Sequence, residues 1–89
     1  MMRILLAMAV VGFGCAPAIA GPHCTDVPEG NWLSKAQMMD RIKPMGYQVD
    51  ILKKTKGNCY EIYGRDKSGK RIEIYFHPVT GEAVKSSGL

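Results

Sequence analysis

Apolar positions fall into two periods along the chain. Between residues 33 and 46 they recur at helical spacing: Met38, Met39, Ile42 and Met45 share one side, while Gln37, Asp40 and Arg41 face away. Ser34 is a good N-cap, Gln37 three residues later can complete a capping box, and Leu33 before the cap can staple onto Met38. A helix is therefore predicted to open at Ser34 and to end where Pro44 and Gly46 break its last turn. From Tyr47 the period drops to two. Tyr47, Val49 and Ile51 alternate with Gln48 and Asp50, which predicts a strand carrying those three apolar residues on one face. A polar turn over 53–58 leads into a second strand, 59–65. Asp66-Lys67-Ser68-Gly69 is a hairpin signal, with Asp suited to open a type I turn and Gly to the left-handed residue after it. A third strand covers 70–76, His77-Pro78-Val79-Thr80-Gly81 is a further turn, and a short fourth strand covers 82–85. Residues 86–89 read as a frayed tail. Upstream of the helix, Pro28 and Gly30 make an extended arm of residues 24–32.

Register follows from burial. A three-residue hairpin loop with a glycine bulge sets Gly64 opposite Ile72, Ile62 opposite Ile74 and Tyr60 opposite Phe76, so that the apolar groups share one face. A slip by one residue would bring Glu61 to the core side. The opposite face then carries Glu61, Tyr63, Arg65, Arg71, Glu73 and Tyr75, and Cys59 points away from the helix. The expected fold class is α+β: one N-terminal helix packed on a small antiparallel sheet of three to four strands, with one disulfide.

The first twenty residues have a different composition. Arg3 supplies a positive charge, residues 4–13 are an unbroken apolar run, and Ala18-Ile19-Ala20 meets the small-x-small requirement of a signal peptidase. The expectation is a bacterial-type signal peptide, 1–20, cleaved before Gly21 and sending the product to the periplasm or the medium. A membrane anchor needs about 20 apolar residues, and Pro17 and several glycines interrupt a shorter run. Lipid attachment at Cys15 is the other alternative, but Gly12-Phe13-Gly14 lacks the aliphatic residue expected three positions upstream. The segmentation is thus signal peptide 1–20, arm 21–32, folded domain 33–85 and tail 86–89. No stable membrane insertion is expected after cleavage.

Of 89 residues, about 69 would remain. A chain so short buries only about 60% of its unfolded surface, which excludes large enzymes and nucleotide-binding α/β domains. Without Arg3 the charge is 11 basic against 8 acidic side chains, a mild excess. Discarding Cys15 leaves Cys24 and Cys59 in a compartment where thiols oxidise, and a single structural disulfide is expected. There is no CxxC motif, and two distant His with two Cys lack zinc-site spacing. Gly21-Pro22-His23 would place a free amine two residues before a His, an arrangement that chelates copper. Pro22, however, has no amide hydrogen to lose, so no metal and no cofactor is expected.

Several stretches together resemble the PepSY domain, in particular its small exported single-domain form: Gly57-Asn58-Cys59-Tyr60-Glu61-Ile62-Tyr63-Gly64-Arg65-Asp66, then Gly69-Lys70-Arg71-Ile72-Glu73-Ile74-Tyr75-Phe76, then Pro78-Val79-Thr80-Gly81-Glu82. Trp32-Leu33-Ser34 and Met45-Gly46-Tyr47 sit where that family begins its helix and enters its first strand. His77 is a departure, since the family usually has Asp before that proline, where a carboxylate accepts turn amides that imidazole accepts only in part. The resemblance implies a noncatalytic module that regulates or inhibits peptidases or binds other proteins, and it carries over no catalytic residue.

The functional expectation is accordingly a binding module, not an enzyme. Its partner would be a periplasmic or secreted protein or peptide, a protease among the candidates, engaged through Tyr63, Arg65, Arg71 and Tyr75 or by strand addition. The alternative is a binder of anionic polymers or membrane surfaces through Lys53, Lys54 and Lys56 at the first hairpin tip. Three lysines on a turn are more often a solubilising, edge-protecting feature. A nucleic-acid partner is not expected, because export and the lack of a broad basic surface with stacking groups argue against it.

Overall fold

The computed structural model describes residues 21–88; the signal peptide and Cys15 readings lie outside the described residues. A 3-10 turn, Glu29–Asn31, precedes helix α1, Lys35–Ile42, which runs into a second 3-10 turn, Lys43–Met45. Four strands follow: β1 (Gln48–Lys54), β2 (Tyr60–Arg65), β3 (Arg71–Phe76) and β4 (Ala83–Gly88). They form one antiparallel meander in the order β1-β2-β3-β4. Two expectations are corrected. The helix is central in the chain and not N-terminal, because the arm before it is itself ordered. The four strands fall within the three to four expected, but β4 runs to Gly88, beyond the expected stop at Lys85 and into the expected tail.

The cap of α1 forms as its sequence dictates. The Ser34 hydroxyl accepts from the Gln37 amide, and the Gln37 side chain accepts from the Ser34 amide. At the far end Gly46 takes φ 88° and closes the last turn, a conformation that favours glycine. Met38 and Ile42 turn inward onto Tyr60, Ile62, Ile72, Ile74 and Phe76, with Trp32, Leu33, Met39, Tyr47, Val49 and Leu52 around the margin. Of the methionine stripe, Met38 fills the core and Met39 lies at its margin, whereas Met45 is 40% exposed. The β2–β3 register is the one that burial selected: Tyr60 faces Phe76, Ile62 faces Ile74 and Gly64 faces Ile72.

Strand β1 departs from strict alternation. Val49 pairs with Gly64 but Ile51 pairs with Tyr63, so Asp50 is an extra residue in a bulge. The bulge exchanges faces: Val49 and Leu52 pack on the core, while Ile51 lies on the opposite side and is 52% exposed. A matching irregularity in β4 sets Ala83 opposite Phe76 and Lys85 opposite Tyr75, with Val84 between them.

The arm is tied to both faces of the sheet. Cys24 bonds to Cys59 with the two Cα atoms 5.2 Å apart, and the Cys24 amide donates to the Gly57 carbonyl at 2.8 Å. Asn58, held at φ 62°, donates through its side chain to the Thr25 carbonyl. Further on the arm passes to the helix side. Trp32 meets Tyr60 edge-on at 5.8 Å and donates to the Val27 carbonyl, and the Leu33 amide donates to the Pro78 carbonyl. The Tyr60 hydroxyl donates to the Leu33 carbonyl at 2.6 Å.

Candidate functional site

The face opposite α1 is where the chemistry-bearing side chains collect, and the strand register sets them in rows. One row reads Lys53, Glu61, Tyr75, Lys85; the next reads Ile51, Tyr63, Glu73; Arg65 and Arg71 lie opposite one another beyond them. The structure therefore brings the four expected contact residues onto one face. They differ in exposure: Arg65 and Arg71 are exposed, Tyr63 is half-buried, and Tyr75 is buried at 6%. Tyr75 is covered because the arm lies over it, with Gly21 against its ring.

Sequence reasoning missed how buried Glu61 is. This residue is 3% exposed, at the second position of the inner strand β2. Its Oε1 lies 3.7 Å from the Lys53 ammonium, and its Oε2 has no hydrogen-bond partner among the described residues. Lys53 also sits over the Tyr63 ring, 5.2 Å from the centroid. The Tyr75 hydroxyl donates to Glu73 Oε2 at 3.0 Å. Burial first, and then the neighbouring Glu73 carboxyl, push the Glu61 carboxyl above the usual range, while the pairing with Glu61 holds Glu73 below it. The neighbouring carboxylate of Glu61 raises the Tyr63 phenol, and burial raises Tyr75. The signal for this cluster was present in the register, which set Glu61, Glu73 and two tyrosines on one face. Periodicity alone does not give their burial; the outward Cys59 does in part, because a disulfide to Cys24 draws the arm toward the outer face and partly covers it.

The basic tip does not converge on one surface. Lys54 is paired with Glu29 of the arm, Lys53 is turned over Tyr63 and Glu61, and Lys56 is exposed. Of the two histidines, His23 bonds with Asp26 at 3.0 Å. His77 holds its turn, its Nδ1 accepting from the Val79 and Thr80 amides at 3.2 and 3.3 Å. Arg41 of α1 reaches the same turn and donates to the Thr80 carbonyl. Among the described residues no group of three or more His, Cys, Asp or Glu could hold a metal ion, and no helix is long and apolar enough to cross a membrane.

The sequence profile described as peptidase propeptide and YPEB domain matches residues 3–87, nearly the whole chain. The chain belongs to the PepSY family. Neither the curated proteins nor the solved structures include a match. Membership in the PepSY family points to a peptidase-propeptide-like or regulatory module. The quoted resemblance and the profile thus agree on residues from the arm to β4.

Proposed function

We propose that this PepSY domain is an exported, noncatalytic binding module that regulates or inhibits a peptidase by engaging it directly. It would act in the periplasm or the medium once its signal peptide is removed. The observation that carries the reading is the Arg65–Arg71 pair, two exposed guanidinium groups directly opposite each other on adjacent strands. Like charges facing across a sheet are destabilising, and an acidic segment of a partner would offset that cost. Tyr63 beside them offers a half-buried ring for the same segment, while Tyr75 in the adjoining row is buried under the arm. The β4 edge next to this face leaves main-chain groups for an added strand.

The test uses the processed protein as bait against the exported peptidases of its own host, followed by titration of any captured peptidase. Loss of peptidase activity at a stoichiometric ratio is expected, with at least a tenfold weaker effect for the Arg65→Ala/Arg71→Ala variant at unchanged circular dichroism. Capture that is indifferent to Tyr63→Ala, Arg65→Ala and Arg71→Ala would dismiss this face.

A further inference from the structure

The binding reading leaves the Glu61 cluster unexplained. A carboxyl with a side chain only 4% exposed and one oxygen unpartnered is costly unless it keeps a proton or meets a cation. Its surroundings are Lys53 from β1, Tyr63 on its own strand, Glu73 and Tyr75 from β3, and Lys85 across from Tyr75 on β4. Lys53 approaches only Oε1, is half exposed, and is shared with the Tyr63 ring. The Tyr75 hydroxyl is committed to Glu73. Two acids therefore stand together and the nearest described ammonium is partly in solvent.

The arm ends beside this cluster. A Cβ built on Gly21 would lie 2.7 Å from the Tyr75 hydroxyl oxygen, and Gly21 has φ +86°, so a side chain there would be both crowded and strained. Only glycine brings backbone this close to the phenol that donates to Glu73. The approach is fixed three residues on, by the Cys24–Cys59 bond and the Cys24 amide on Gly57. The Pro22 carbonyl oxygen touches the Cys59 sulfur at 3.3 Å. In the chain as translated the Gly21 nitrogen is a neutral peptide amide. The Ala18-Ile19-Ala20 motif predicts that a peptidase hydrolyses the bond before it. Water is added across that bond: Ala20 leaves as a carboxylate, and Gly21 gains an amine that takes up a proton at neutral pH.

We propose that removal of the leader completes this face: the new α-ammonium of Gly21 seats on the Glu61–Glu73 carboxyl pair beside Tyr75 and locks the arm onto the sheet. The ligand of the site is the chain's own processed end. Burial favours the protonated form of Glu61 in the uncleaved chain, and after cleavage a cation with three donors would be available to the carboxyl whose Oε2 lacks a partner. The processed form is then tighter than the precursor, independently of any partner.

To test this, the full chain is expressed with its leader in an exporting bacterium, and the processed protein is recovered and weighed intact. A product that begins at a residue other than Gly21 overturns the proposal at its premise. With Gly21 first, the α-amine is titrated by NMR on ¹⁵N-glycine-labelled protein. Its pKa is expected about one unit or more above the ordinary value near 8, and to fall back in Glu61→Gln/Glu73→Gln. An amine that titrates at the ordinary value, the same in both proteins, overturns the geometry. As a second measurement, a form retaining Ala20 before Gly21 is compared in urea with the form starting at Gly21. The folding constant is expected to drop at least fivefold at pH 7, and the difference to shrink as pH falls and Glu61 protonates. An equal drop in the double Gln variant overturns the pairing.

Discussion

Single side chains set how this fold responds to mutation and acid. His77 holds its turn through one imidazole nitrogen, which accepts from both the Val79 and Thr80 amides. His77→Asp should keep the turn and leave the urea midpoint unchanged or higher, whereas His77→Ala should lose about 1 kcal/mol. Asp66 at the opposite hairpin accepts from the Ser68 hydroxyl and from the amides of Ser68 and Lys70, and these bonds, the Ser68 hydroxyl foremost, hold its carboxyl below the ordinary range. A carboxyl whose folded value is lowered contributes stability above its unfolded value, and that contribution disappears as pH falls through the folded one. Urea midpoints taken from neutral pH to below about pH 3 should therefore decline less steeply under about pH 4 for Asp66→Asn, which keeps an acceptor but cannot titrate. Glu61 has the opposite sign. Its raised value in the uncleaved chain means stability is full below the ordinary carboxylate range and declines as pH rises through the folded value.

At the level of elements, what could be read in advance was what is local. The capping box of Ser34 and Gln37 and the Asp66–Gly69 turn each lie within four residues, and both formed as the residues require. The hairpin in turn set which side chains share the outer face, so the candidate surface was legible in membership. The β1 bulge was not legible, because its cause is across the sheet. Gly64 lies so close to β1 that a Cβ there would run into the Gln48 carbonyl oxygen. Glycine inside a central strand marks this kind of backbone approach, and the bulge it accommodates turns Ile51 to the outer face. Gly64→Ala should cost about 1–3 kcal/mol through overpacking against that backbone, read as a lower urea midpoint. Ile51→Thr should cost less than 0.5 kcal/mol, because the side chain is already half in water. Reversed magnitudes would mean that Ile51, and not Val49, belongs to the core.

For the molecule as a whole, the arm decides whether the sheet and helix stay one unit. It covers Tyr75 on one side and brings Trp32 and Leu33 to the core on the other, and the Cys24–Cys59 bond pins it with a separation of 35 residues. Burial of the outer face could not be read from strand periodicity for this reason: it is imposed by a segment with no period of its own. Closing a loop of that length removes about 4 kcal/mol of freedom from the unfolded chain. A domain of this size has a total stability of about 3–10 kcal/mol, so the bond is a large fraction of it. Equilibrium unfolding in urea, followed by Trp32 fluorescence with and without reductant, should show the midpoint falling by half or more on reduction. Cys24→Ser/Cys59→Ser should match the reduced protein. A loss under 1 kcal/mol would mean that the arm is held by its own hydrogen bonds, those of Cys24 to Gly57, Trp32 to Val27 and Leu33 to Pro78. The larger loss would tie the fold to an oxidising compartment, since thiols stay paired only there and the arm that covers Tyr75 is fastened by that pair.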